Sequence, residues 1–246
     1  MEPLTLLYRD DRIAVFNKPS GLLIHRSYID RTETRFALQM ARDLLGQRVY
    51  PVHRLDKPTS GVLLFALSSE DAASLTAAFT AGDVQKKYFA ICRGIAPPKG
   101  VIDYPLLEEQ DRHDLYRQEG KDPQNAVTGY ERLATVELPF AVGRYPTSRY
   151  SLLKVEPLSG RRHQIRRHLK HIFHPLVGDV NYGEGRHNRF FREEFSCGRL
   201  LLHAAELTVP NPTNGEMLKF SAPLDNTFTG IINSLGWSEN LSAQQG

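Results

Sequence analysis

The order of elements predicts an α+β fold on a mainly antiparallel or mixed sheet flanked by helices. Two observations carry this: strand-like runs outnumber helical stripes, and few segments alternate strand, helix and strand in the manner of a parallel sheet. A third is the longest purely apolar run, Val62 to Leu67, which has the length of one buried strand.

Taken along the chain, Leu4 to Tyr8 and Ile13 to Phe16 read as short strands joined by an Asp10-Asp11 turn. Asn17-Lys18-Pro19-Ser20-Gly21 breaks the chain. Phe36, Leu38, Met40, Ala41, Leu44 and Leu45 form an apolar helical stripe that Gly46 stops. Gly61 to Leu67 reads as a buried strand. Ser68 with Asp71 resembles a capping box opening a helix to about Ala81. Val84 to Cys92 returns as a strand. Pro97 to Asn125, rich in Pro, Gly and charge, reads as an insertion or a junction. Val127 to Leu138 and Arg149 to Val155 are strands. Gln164 to Phe173 is a helix with Ile165, Leu169, Ile172 and Phe173 on one face. Leu200 to Val209 and Met217 to Phe220 are strands around an Asn-Pro-Thr-Asn-Gly turn. Ser238 to Gly246 is polar and expected to be loose. Residues 1–236 are thus expected to form one domain, with 237–246 as a polar tail.

The 246 residues are 41% hydrophobic and 24% charged, an ordinary globular balance. No apolar run is long enough to span a bilayer as a helix, so no membrane partner is expected. The start, Met-Glu-Pro, carries no basic segment followed by an apolar one, so no secretory leader is expected. Cys92 and Cys197 have no CxxC spacing, which suits a reduced cytoplasmic protein, expected to be a monomer. The net charge of +3 hides an asymmetry. Arg144 to Lys170 holds eight Lys/Arg against Glu156 alone, so this segment carries +7 and the remainder −4. A basic stripe on a mildly acidic body suggests a polyanion-facing surface, with a solvated helix face as the alternative.

Three segments carry chemistry. His53-Arg54-Leu55-Asp56-Lys57-Pro58-Thr59-Ser60-Gly61 lies between strand-like runs and reads first as a turn. Its acid is flanked by Arg54 and Lys57, and an acid among cations stays ionised, as a nucleophile or base requires. Ser159-Gly160-Arg161-Arg162-His163-Gln164-Ile165-Arg166 opens a helix with arginines, an arrangement suited to phosphate. Lys86-Lys87-Tyr88 starts a strand. The histidines between His163 and His187 lack a cysteine or carboxylate at ligand spacing, so no metal site is expected. No GxxxxGK[ST] or GxGxxG occurs, so no nucleotide cofactor is expected.

Together these segments resemble the RluA family of pseudouridine synthases. Asn17 to Leu22 resembles its first motif, His53 to Gly61 its HRLDxxTSG signature, and Lys87-Tyr88 its tyrosine motif. Gly160 to Arg166 followed by His174-Pro175-Leu176-Val177-Gly178-Asp179 resembles GRxHQIR…HPxxGD, and Leu202-His203-Ala204 its late LHA motif. The resemblance runs in order from about Leu6 to Phe220. It implies structured RNA as partner and no cofactor. It implies Asp56 as catalytic carboxylate, with Arg166 pairing with it. Arg54 would fill the space of the extruded base. Tyr88 would pack against the uracil and help remove the C5 proton, and Ile165 would line the base pocket. Arg149, Arg161 and Arg162 are the expected phosphate contacts. Arg144 to Tyr150 further resembles a tRNA-acting member, which implies uridine 65 at the T-stem/acceptor-stem junction as target. Family members often carry an N-terminal S4 domain; the first motif begins too early here for one to fit. Other readings are an rRNA-specific or dual rRNA/tRNA synthase of the same family, a non-catalytic RNA-binding protein, and an N-glycoside hydrolase using Asp56. The last would need a second, water-activating acid that the signature loop does not offer.

Overall fold

The computed structural model describes residues 3–25, 33–107 and 122–243. Ten strands form one sheet: β1 (Thr5–Arg9), β2 (Ile13–Lys18), β3 (Tyr50–Pro51), β4 (Ser60–Ala66), β5 (Gln85–Arg93), β6 (Lys99–Asp103), β7 (Val127–Leu138), β8 (Ser148–Pro157), β9 (Leu202–Pro210) and β10 (Met217–Ser221). Their order is β1-β2-β4-β9-β5-β8-β7-β6, with β10 on β9 and β3 on β4. Every pairing is antiparallel except β4 with β9. The helices are α1 (Ala37–Leu45), α2 (Ser69–Ala81), α3 (Gln164–His171), α4 (Gly185–Phe195), α5 (Asn226–Ser234) and α6 (Ser238–Ser242). The α+β expectation holds.

Alternation along the strands sorts the core. In β4, every residue of which is buried, Leu63 and Phe65 pack with Ala37, Ala41 and Leu45 of α1. The intervening Val62, Leu64 and Ala66 pack with Leu75 of α2. In β5, Phe89 and Ile91 meet the aromatic side of α4 and α5, while Ala90 and Cys92 meet Ile165 and Leu169 of α3. Tyr88 packs against both the α1 and the α3 cluster, so it stands where they join.

The parallel pairing of β4 with β9, Ser60 with His203 and Gly61 with Ala204, explains one glycine. Gly61 has φ +115°, and a Cβ there would collide with the Ala204 carbonyl. The Thr-Ser-Gly and Leu-His-Ala segments are thus two sides of one close backbone approach.

Several expectations need correction. Leu44 is exposed, and the buried stripe of α1 is Ala37, Ala41 and Leu45. Phe173 lies beyond α3 at φ 64° and is exposed rather than on the buried face. The polar tail is not loose over its described part: α6 forms, and Trp237 and Leu241 are buried in the cluster around β8. Residues 244–246 lie outside the described residues, as do 108–121 of the expected insertion. The described start of that insertion contains β6, which pairs with β7. Ser68 does cap α2, accepting from the Asp71 backbone N–H at 3.0 Å.

Candidate active site

Residues 52–59 carry the signature acid from β3 to β4. Leu55 is buried against the α1 cluster, while Arg54 and Asp56 on either side are left facing the cleft. The Asp56 carbonyl accepts from Thr59 N at 3.0 Å, closing the turn that Pro-Thr-Ser-Gly favours. The Asn17–Leu22 segment clamps this loop: Gly21 N donates to Lys57 O at 2.8 Å and Ser20 Oγ to Pro58 O at 2.7 Å. Lys18 is fully buried, and Nζ donates to the carbonyls of Pro19 (3.0 Å), Leu22 (2.8 Å) and Lys57 (3.1 Å). Three carbonyl acceptors match the three donors of an ammonium. Burial pushes the Lys18 pKa down to about 7, with Arg199 adding to the shift and Asp56 opposing it. Sequence reasoning missed this role, because Lys18 falls in a segment that reads as a chain break.

The Asp56 carboxylate is 18% exposed and has two neighbours. Arg166, 3% exposed, donates from one guanidinium nitrogen to Asp56 Oδ2 at 3.1 Å. The rest of the fork is held by Asp179, whose side chain is fully buried: Arg166 Nε reaches Oδ2 at 2.7 Å and the other terminal nitrogen reaches Oδ1 at 2.9 Å. Bidentate geometry of this kind fixes orientation as well as charge. Asp179 also accepts from the backbone N–H groups of Asn181 and Tyr182, both at 3.0 Å. Burial works against the charge of both partners. Their mutual hydrogen bonds overcome it, holding the Arg166 pKa above its ordinary value and the Asp179 pKa below. Asp56 adds to the stabilisation of the arginine. On the other side, His163 Nε2 stands 3.8 Å from Asp56 Oδ1.

Tyr88 and Ile165 line the same cleft. The β5–β9 register shifts between Lys87 and Tyr88, a bulge that re-aims the tyrosine while Lys87 is tied to Glu206 at 3.0 Å. Burial, and then the charge of Asp56, push the Tyr88 pKa above its ordinary value. At neutral pH it is therefore a phenol, better suited to packing against a base than to accepting a proton as phenolate.

The cleft measures about 1080 Å³ and is lined by Arg54, Asp56, Tyr88, Arg161, Arg162, Ile165 and Arg166. That is just above the ~300–1,000 Å³ of small-molecule pockets, room enough for part of a polymer. Gln164 organises its basic rim: its Oε1 accepts from Arg161 N at 3.0 Å and Ser159 Oγ at 2.7 Å, and its Nε2 donates to Val127 O at 2.9 Å. The expected continuous basic stripe breaks up, however. Arg149 is paired with Glu137 near the far end of β8, eight residues from Pro157, or roughly 26 Å at ~3.3 Å per residue. Lys154 pairs with Glu131 at 2.6 Å, and Arg166 is taken up by Asp56 and Asp179. Arg149 thus lies outside the cleft, whereas Arg161 and Arg162 line it. The histidines of this region have other engagements. His168 meets Thr128 Oγ1 and Tyr104 O, His171 stacks on Tyr104, and His174 meets Arg93 O. Among the described residues no group of three His, Cys, Asp or Glu is placed to hold a metal ion.

An aspartate gripped by a buried arginine, facing a tyrosine in a cleft with a basic rim, is a constellation for acting on a base in RNA. A model of the RNA pseudouridylate synthase family matches residues 12–171, and the chain belongs to that family of uridine isomerases. Tested against individual proteins, it is 49% identical to "tRNA pseudouridine synthase C" of Pectobacterium carotovorum subsp. carotovorum over 99% of this chain and 65% of that protein. To the protein of the same name from Vibrio cholerae it is 47% identical over 97% of this chain and 98% of that one. Among solved structures, human RNA Pseudouridylate Synthase Domain Containing 4 superposes with a TM-score of 0.70 at 26% identity, covering 94% of this chain and 93% of that one.

Proposed function

We propose that this chain converts a uridine of tRNA into pseudouridine, with Asp56 as the carboxylate that acts on the nucleotide. The observation that carries the reading is the Asp56–Arg166 contact at the cleft, 3.1 Å long and anchored from behind by Asp179. The proposed target is the uridine at the junction of T stem and acceptor stem. The names of the relatives support tRNA, and the Arg144–Tyr150 stretch supports the position.

The reaction breaks the N1–C1′ bond and forms C5–C1′. C5 loses a proton and N1 gains one, so atoms and electrons balance without an oxidant or leaving group. A uridine inside a helix must first be turned out of the stack. Arg54, exposed beside Asp56, would enter the vacated space, Tyr88 would pack against the base and Ile165 would line its pocket. Once detached, the uracil is kept in place by walls that exclude water. Arg161 and Arg162 on the rim take phosphate, which supplies affinity but not sequence selection. We further propose that residues 1–236 act as one catalytic unit, as a monomer in the cytoplasm. Among the described residues no helix is long and apolar enough to cross a membrane.

The test offers unmodified tRNA and ribosomal RNA transcripts at equal concentration to the wild type and to Asp56→Asn, and maps pseudouridine in the products. The expected outcome is modification of tRNA at the stem junction by the wild type. Asp56→Asn should give none, while keeping RNA affinity within about tenfold because phosphate contacts dominate binding. Modification confined to ribosomal RNA would overturn the tRNA target, and turnover by Asp56→Asn would overturn the role of the carboxylate.

A further inference from the structure

His163 breaks two local rules at once. It is the N-cap residue of α3, a position that favours Ser, Thr, Asp or Asn, yet its side chain makes no capping hydrogen bond. Its backbone is left-handed, φ 54° and ψ 26°, a region uncommon for residues other than glycine, although histidine enters it more readily than most, as asparagine and aspartate do. Such a conformation costs about 1–3 kcal/mol and persists where the surroundings impose it. What the ring touches accounts for the exception. Nδ1 lies 2.8 Å from the hydroxyl of Tyr182, and the two rings pack edge to face with centroids 5.6 Å apart. Tyr182 is held in turn under the guanidinium of Arg166 (5.0 Å) and the ammonium of Lys170 (5.8 Å). Its backbone N–H binds Asp179, the residue that orients Arg166. With Nδ1 directed at Tyr182, Nε2 points at Asp56 Oδ1 from 3.8 Å.

We propose that His163 is a positioning residue for Asp56, fixing Oδ1 through Nε2–H as Arg166 fixes Oδ2, and that the 3.8 Å gap closes when RNA enters the cleft. The inference rests on the reading of Asp56 as the reacting carboxylate. At 3.8 Å there is no hydrogen bond in the free protein. Contacts of catalytic groups are often long in free enzymes and tighten in the complex, and here about 1 Å of closure suffices. A neutral imidazole serves in the tautomer that accepts the Tyr182 hydroxyl at Nδ1, because that tautomer carries its proton on Nε2. Two donors on two oxygens define the plane of the carboxylate, whereas Arg166 alone leaves it free to rotate about one contact. Tyr182 and its cation–aromatic contacts set the direction of the imidazole, so α3, the 178–182 turn and the signature loop converge on one carboxyl group.

Glutamine and asparagine separate this role from a structural one. A glutamine amide nitrogen can reach the place of Nε2; an asparagine amide reaches only the place of Nδ1, and it suits the left-handed backbone. His163→Gln, His163→Asn and His163→Ala are compared by single-turnover and steady-state kinetics on a tRNA transcript, with Kd from filter binding and thermal melting alongside. The expected result is a fall in kcat of about 10- to 100-fold for Asn and Ala, with Gln within about fivefold of wild type and Kd nearly constant, since a misplacement of ~1 Å costs about this much. If Asn matches or exceeds Gln, the histidine serves the backbone and Tyr182, and the proposal fails. It also fails if Ala keeps wild-type kcat or if only Kd changes. Asp56→Asn run in parallel keeps the two readings apart: its turnover would remove the parent reading, whatever the histidine variants do.

Discussion

Two arginine–aspartate pairs flank the signature loop, and they end differently. Arg166 is gripped by Asp179 and reaches Asp56 Oδ2, a carboxylate that faces the cleft. Arg199 is paired with Asp225 and reaches Ser60 Oγ at 2.9 Å, four residues along the same loop. Ser60 Oγ meets His203 Nδ1 at 2.9 Å, and His203 Nε2 ends on the Ala222 carbonyl at 3.1 Å. Both chains are largely buried and both use an arginine to hold a side chain of the loop. The first ends on an acceptor that faces the cleft. The second ends on backbone and holds β4, β9 and the start of α5 together, with Asp225 also capping α5 through Phe228 N. The same interaction thus ends at the cleft or within the architecture according to what stands at its last atom.

Matched substitutions break the comparison most directly. Arg166→Lys keeps a charge but loses the bidentate fork, and kcat should fall by about 100-fold with RNA affinity little changed. Arg199→Met should act the other way. It leaves Asp225 buried without its partner and costs about 3 kcal/mol of stability, with kcat within about threefold at temperatures where the protein is folded. Denaturant titration and single-turnover rates on both variants measure the two effects. A large loss of kcat in folded Arg199→Met would place the second chain in the catalytic machinery.

Acid should separate the two chains next. Burial pushes the His203 pKa down to about 4, with the Ala222 hydrogen bond opposing and Arg199 adding to the shift. In the unfolded chain it takes its proton near 6.5, so between pH 6.5 and 4 the unfolded state binds more protons and stability falls as pH falls. His187, pushed down to about 4, and His53, pushed down to about 3, add to the same slope. Melting temperatures measured over this range should drop toward low pH. Replacing His203 by Asn should flatten the curve by about one proton, and an unchanged curve would mean that His203 is not buried neutral.

The smallest effect sharpens the boundary of the RNA face. Arg161→Ala with Arg162→Ala should weaken binding by about tenfold and reduce the log–log salt slope by about two. Arg149→Ala, at the remote end of β8, should change neither. Filter binding across a salt series reads both, and a loss of slope in Arg149→Ala would extend the footprint along the strand.

Much of the site was legible because its chemistry is compressed into short runs. His53 to Gly61 and Gly160 to Arg166 contain the carboxylate, its arginine and the basic rim, and the turn and helix signals around them are local. The strands were legible for the same reason, since alternation and apolar runs depend only on neighbours in the chain. Alternation cannot say which strands pair, and the parallel pairing that places Ser60 against His203 joins residues 143 positions apart. Burial of Lys18, exclusion of Arg149 from the cleft and the approach of His163 to Asp56 likewise depend on elements remote in sequence. The α4 helix and the docked tail escaped notice because few apolar side chains anchor them: Phe190 and Phe191 in the one, Trp237 and Leu241 in the other. The sequence by itself therefore determined which chemical groups are present and the local bends that display them. Only the tertiary structure decided which groups face the cleft, because burial and ion pairing depend on distances that chain neighbours do not set.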